Sequence, residues 1–174
     1  MPKKKIRLDL ACGYNKRRGF IGVDLTREGT QADIEHDLET YPWPFRDNVV
    51  DEVFCSHFIE HVSDMAAFMN ELWRVMKPGG TLKFIAPYYT SVRASQDPTH
   101  KRFISEQTFY YFDKEWRETN RLGHYPISCD FKIERVERSI NADFCGQSDE
   151  DISYAAMHYW NVIEDISVTL RKPK

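Results

Sequence analysis

Four short apolar runs, IRLDLAC (6–12), GFIGVDL (19–25), VVDEVFCS (49–56) and TLKFIAP (81–87), end at a glycine, an acid, a serine and a proline. Runs of this length bounded by turn residues read as core strands. The first two constrain the fold most. Only seven residues separate Gly13 from Ile21, whereas a parallel crossover ordinarily needs a dozen or more and carries a helix. If the two strands are parallel, they must be joined by a loop alone.

Between the later runs, Ser63 is positioned to cap a helix whose apolar residues Met65, Phe68, Met69, Leu72, Val75 and Met76 follow i, i+3, i+4, i+7 spacing. Lys77-Pro78-Gly79-Gly80 then enforces a sharp helix-to-strand turn. Beyond Pro87 the pattern loosens into an aromatic, polar stretch with a predicted helix from Ser105 to Trp116. Phe131 and Ile133, then Ile166, Val168 and Leu170, alternate with polar residues and predict two closing strands paired as an antiparallel edge. The strand and helix alternation points to an open α/β sheet, whose ligands bind beyond the carboxyl ends of the strands.

Composition narrows the class. The 174 residues suit one domain, and 41% apolar with 29% charged residues suits a soluble globule. No apolar run approaches the roughly 20 residues of a membrane span, and the basic opening MPKKKIRLDLACG lacks the apolar region of a secretory leader. The expectation is a protein without membrane insertion. Cys12, Cys55, Cys129 and Cys145 form no CxxC, so neither a zinc ribbon nor a disulfide framework is implied, and a cytoplasmic setting fits. A net charge of −3 argues against a general nucleic-acid binder, despite local clusters at Lys3–Arg7 and Lys16–Arg18.

The stretch LDLACGYNKRRGFIGVDL (8–25), followed in order by DLETYPWPFRDNVVDEVF, SHFIEH and ELWRVMKPGGTLKFIAP, resembles class I S-adenosylmethionine-dependent methyltransferases. It is most similar to a type 11-like subgroup with a short first turn. The resemblance covers roughly Ile6 to Pro87. It implies a doubly wound, mostly parallel sheet with a Rossmann-like methyltransferase fold and a shortened first crossover. One domain spans 1–174, with 88–130 as an acceptor-side insertion.

The implied cofactor is S-adenosylmethionine. Asp9 would help hold the methionine ammonium, and the turn Ala11, Cys12, Gly13 would cradle the carboxylate. Asp24, with Leu25 beside it, would receive the ribose hydroxyls. Asp37 falls where an acid receives the adenine amino group, with Leu38 against the ring, and Ser56 and His57 lie where a central strand meets the cofactor. Two departures stand out. Ala11 replaces a usual glycine, and the loop Tyr14–Arg18 must replace a helix N-terminus as an anion site, with Lys16 or Arg17 supplying charge. Taken alone, Asp24 and Gly13 also read as an ordinary turn acid and turn glycine.

Methyl transfer from a sulfonium is an in-line displacement, so the protein must orient the acceptor and, for a hydroxyl or ammonium, remove a proton. No metal is called for. His57, Glu60 and His61 follow the third run, and DPTHKRF (97–103) follows the aromatic pair Tyr88 and Tyr89. His100 is the first candidate base, with His57 second. Asp97 is placed to orient His100 and Arg102 to bind an acidic acceptor; an Asp-Pro turn is the plain alternative. The expected acceptor is a small or sugar-like molecule. Absence of an Asn-Pro-Pro-Tyr type string at Cys55-Ser56-His57-Phe58 argues against amino methylation of DNA bases. Competing functions are a cofactor-binding partner without catalysis and, from His57-Phe58-Ile59-Glu60-His61, an HxxEH zinc peptidase. A nicotinamide enzyme is weak, because only Gly13 of a GxGxxG remains.

Overall fold

The computed structural model describes residues 4–174; Lys3 of the first basic cluster lies outside them. The first five strands are β1 (Arg7–Leu10), β2 (Ile21–Asp24), β3 (Ile34–Glu35), β4 (Val50–Ser56) and β5 (Met76–Pro87). They pair in parallel, with Leu8 opposite Ile21 on one side of β1 and Val53 on the other. Two further strands, β6 (Lys132–Ile140) and β7 (Ile163–Arg171), complete the sheet in the order β3-β2-β1-β4-β5-β7-β6. As expected, they form an antiparallel edge, since β7 runs opposite to both β5 and β6. The strand order reverses between β1 and β4. In open α/β sheets the crevice at that reversal, beyond the carboxyl ends, receives the ligand.

Period-two alternation decides which face is dry. Leu8, Leu10, Val53, Cys55, Leu82, Phe84, Ala86, Val168 and Leu170 point to one face and are at most 1% exposed. Helix α1 (Met65–Val75) lies there through Met65, Phe68, Met69, Leu72 and Val75. Phe84 meets Phe68 of α1 at 6.4 Å between ring centroids, and Phe109 at 5.6 Å. The alternate residues Phe54, Lys83, Ile85, Ser167 and Thr169 are only half-buried.

The expected helix-less first crossover is present: Ala11–Phe20 joins β1 to β2 without a helix. The reduction goes further than the sequence implied, because residues 25–33 and 36–49 join the next strands without one either. The loop after β1 occupies part of the vacated space. A Cβ at Gly22 of β2 would lie 2.6 Å from Lys16 Cδ, 2.8 Å from Cys12 Sγ and 3.0 Å from the Gln31 carbonyl. A glycine inside a strand marks such close approaches. Gly22→Ala should therefore cost about 1 to 3 kcal/mol by overpacking, read as a lower urea midpoint.

Two local expectations are corrected. The cap of α1 is Asp64, not Ser63: the Asp64 Oδ1 accepts from the Ala67 N–H at 2.9 Å, while the Ser63 hydroxyl receives the Lys101 ammonium. Asp64→Ala should cost about 1 kcal/mol, measured by chemical denaturation beside Ser63→Ala. The predicted helix Ser105–Trp116 is two short ones, α3 (Glu106–Tyr110) and α4 (Lys114–Thr119). Asp113 interrupts it, because its carboxylate accepts from the Trp116 N–H and starts a new helix. HFIEH is a turn and not a helix. His57 has φ +52°, outside the helical region, so the two histidines of that string do not share a helix face.

Two remaining helices complete the chain. They are α2 (Val92–Gln96), after β5, and α5 (Asp149–His158), before β7.

Candidate active site

The cofactor-side candidates gather at the carboxyl ends of β1 and β2. Ala11 and Gly13 both adopt left-handed φ, +51° and +50°. Gly13 adopts that conformation without the strain a side chain brings to Ala11, and a Cβ at Gly13 would meet nothing within 4 Å. The same fact leaves open space over the turn. Asp24 closes the turn from β2: one carboxylate oxygen accepts from the Gly13 N–H and the other from the Leu25 N–H, both at 2.8 Å. Leu25 itself is 67% exposed and faces no core.

Asp9 sits beneath the loop and is 3% exposed. Its Oδ2 accepts from the Arg17 N–H at 2.6 Å. Burial raises its pKa, opposed by the Arg17 hydrogen bond and the nearby Lys16 and Arg17 cations. Anchoring to Asp9 lets the loop lie on the sheet without a helix. The two cations expected to bind an anion are otherwise engaged. Lys16 bonds both Asp33 oxygens at 2.8 and 2.9 Å, and the Arg17 guanidinium stacks 4.2 Å from the Phe54 ring centroid. Both hold the loop down and are not free to bind an anion.

Cys12 is buried, and burial together with Asp24 and Asp9 pushes its thiol up to about 11, leaving it unreactive. Asp37 forms a local turn, accepting from the Glu39 N–H at 2.9 Å and the Thr40 hydroxyl at 3.1 Å. Leu38 is 4% exposed in the core, and its carbonyl accepts from the Trp43 indole at 3.1 Å.

A second cluster forms beyond β4 and β5. Ser56 ends β4, and the turn after it brings His57, Glu60 and His61 against Pro87, Arg93, Gln96, Asp97 and His100, around a cavity of about 200 Å³. Glu60 is 1% exposed and neither of its oxygens is hydrogen-bonded. The nearest imidazole nitrogens are His57 Nδ1 at 3.5 Å and His100 Nε2 at 4.0 Å. The neighbouring carboxylate raises the pKa of His57.

His100 is oriented by the Ala94 carbonyl, 3.0 Å from Nδ1. A proton on Nδ1 to make that bond leaves the lone pair of the neutral ring on Nε2, facing the cavity. Asp97 was expected to orient this ring. Its Oδ1 is instead bound by Thr99, through the N–H at 2.8 Å and the hydroxyl at 2.6 Å, and its Oδ2 stays 3.9 Å from Nε2. Arg102 donates to the Val62 and Ser63 carbonyls and so serves the turn, not an acidic acceptor. Tyr88 is buried with its hydroxyl on Glu106, while Tyr89 is 42% exposed.

Glu60 is the residue that sequence reading undervalued. Its signal was an acid within an otherwise apolar turn, HFIEHV.

Residues 8–84 match the methyltransferase domain family. An S-adenosylmethionine-dependent methyltransferase of Archaeoglobus fulgidus superposes on 98% of this chain and 87% of its own, with a TM-score of 0.63 at 20% identity. The chain has the class I methyltransferase fold. A malonyl-[acyl-carrier protein] O-methyltransferase of Yersinia pestis is 34% identical over 84 residues, 47% of this chain. The match spans 28% of that relative's length. The [4+2]-cyclase SpnF also shares the methyltransferase fold, with a TM-score of 0.57 at 16% identity over 97% of this chain and 76% of its own. The fold alone thus does not decide the reaction, which must be argued from the site. No described helix is long and apolar enough to cross a membrane.

Proposed function

We propose that this chain is an S-adenosylmethionine-dependent methyltransferase acting on a hydroxyl of a small molecule. What supports this reading is that both groups of candidate residues stand beyond the carboxyl ends of neighbouring parallel strands. Asp24 and the Ala11–Gly13 turn stand at the ends of β1 and β2, within the matched methyltransferase segment, and the Glu60–His100 cavity stands beyond β4 and β5.

Asp24 suits the ribose hydroxyls, Asp9 would meet the ammonium and Asp37 the adenine amino group, with Ser56 and His57 toward the sulfonium end. The Cys12 and Gly13 N–H groups already donate to Val23 and Asp24, and Leu38 is in the core, so these three support the ligand only through backbone placement. The bound cofactor supplies an electrophilic methyl group. His100 Nε2 takes the proton of the acceptor hydroxyl, and the imidazolium so formed is stabilised by Glu60. His57 and Asp97 flank the same space.

Charge favours a neutral acceptor. Arg93 is paired with Asp165 at 2.9 Å and Glu60 lies 3.5 Å from His57, so the cavity's remaining charge is that of Asp97. A carboxylate acceptor, such as the malonyl group in the relative's name, would be repelled and needs no base. Three of the four free cysteines are buried, which suits a reducing cytoplasm.

The test is formation of S-adenosylhomocysteine over a panel of hydroxylated, amino and carboxylic small molecules. Turnover with hydroxyl acceptors supports the proposal; turnover only with carboxylates refutes its acceptor half. Cofactor binding without turnover on the whole panel would favour a non-catalytic partner protein.

A further inference from the structure

We infer that Glu60, His61 and His100 form a binding site for one divalent transition-metal ion of the zinc class. One ligand atom from each residue lies within 4.8 Å of the others. They come from two places in the chain: Glu60 and His61 from the turn after β4, His100 from the segment after α2. They converge so closely that the His61 and His100 rings meet edge to face at 4.7 Å.

Three features distinguish this from a chance cluster of polar groups. The first is Glu60, whose carboxylate is 1% exposed, has no hydrogen bond to either oxygen, and lines the cavity. Burying a carboxylate that makes no hydrogen bond and has only the His57 ring at 3.5 Å is costly, and buried charges are ordinarily paired or bound to metal.

The second is the way both imidazoles are held. His100 Nδ1 is fixed by the Ala94 carbonyl at 3.0 Å, and His61 Nδ1 by Thr99, whose carbonyl is at 3.3 Å and hydroxyl at 3.0 Å. Asp97 in turn fixes Thr99 through two hydrogen bonds. Metal-binding histidines almost always have one ring nitrogen tied in this way, which fixes the ring and leaves the other nitrogen for the ion. Here the remaining nitrogen of each ring is Nε2.

The third is the donor set. Two imidazoles and one carboxylate suit zinc, iron(II), cobalt or nickel rather than magnesium or calcium, which take oxygen ligands. Three protein ligands leave a tetrahedral ion an open position, here toward the cavity. Metal–ligand bonds of about 2.0 to 2.2 Å place tetrahedral donors roughly 3.3 Å apart. The site therefore closes slightly on binding, and His61, the least buried of the three, has the most freedom to move. This is not the HxxEH arrangement: His57 is not among the three, and Glu60 acts as a ligand.

On the proposal that His100 accepts the proton, which this consequence alone rests on, the ion and the proton compete for the same lone pair. Occupancy then closes the acceptor site, so zinc inhibits methyl transfer and a chelator restores it.

The experiment titrates chelator-treated protein with cobalt(II) as a spectroscopic probe, then displaces it with zinc and measures bound metal per chain. It is read on the protein alone, so failure to find a methyl acceptor leaves it intact. One equivalent with micromolar or tighter affinity is expected, with visible bands of a low-coordinate cobalt site. Glu60→Gln and His61→Gln, each checked for folding by circular dichroism, should weaken binding at least tenfold. Absence of saturable binding, or equal binding by wild type and both folded variants, overturns the inference.

Discussion

Metal-free Glu60→Gln protein should melt at a higher temperature than wild type while losing almost all acceptor methylation. The two effects have one cause. Glu60 carries a carboxylate into a site where it makes no hydrogen bond and is 1% exposed. Neutralising a buried carboxylate that makes no hydrogen bond relieves its desolvation cost, for a net gain of about 1 to 2 kcal/mol, since a glutamine amide still lacks partners and the His57 contact at 3.5 Å is weakened. For a chain of this size about 2 to 4 °C in Tm accompanies each kcal/mol. On the proposed mechanism, the imidazolium formed at His100, 4.0 Å away, needs this carboxylate. Loss of a working proton acceptor typically costs 100-fold or more. A variant that melts lower than wild type and still turns over would show that Glu60 is a structural acid.

Asp24→Ala should weaken S-adenosylhomocysteine binding by about 1.5 to 3 kcal/mol, the range for hydrogen bonds to a charged group, or roughly 10- to 150-fold in Kd. Asp24 also accepts the Gly13 and Leu25 N–H groups, so alanine loosens the turn as well. Asp24→Asn separates the roles. The amide oxygen keeps one N–H bond but lacks the charge that strengthens bonds to vicinal hydroxyls. A ligand role predicts weakened binding in both variants, measured by calorimetry on folded protein. A purely structural role predicts lower stability with unchanged affinity in Asp24→Asn.

What could be read in advance follows from which interactions are local. Strands β1, β2, β4 and β5, helix α1 and the antiparallel edge were legible because apolar periodicity and breakers such as Lys77-Pro78-Gly79-Gly80 write them into contiguous residues. Strand β3 has two residues and α5 buries only Ala155, so neither leaves a periodic signal. The Asp113 cap overrode a continuous helical pattern, and Asp64 took the role assigned to its neighbour Ser63.

In the candidate site, Asp9, Gly13 and Asp24 were legible as an acid within β1, a glycine in the turn after it and an acid that closes β2. The Glu60–His61–His100 cluster was not, since Lys101 docks on Glu60 across 41 positions through one backbone hydrogen bond of 2.9 Å. That contact is set by tertiary packing. The fates of Lys16 and Arg17 were likewise decided by Asp33 and Phe54, which lie elsewhere in the chain.

The most direct test of the central claim is calorimetric titration of the chelator-treated chain with S-adenosylhomocysteine. The account predicts saturable binding at one site per chain with micromolar affinity, weakened in Asp24→Asn. A folded chain that shows no heat of binding at millimolar ligand would contradict it, and would leave the methyltransferase fold serving another reaction.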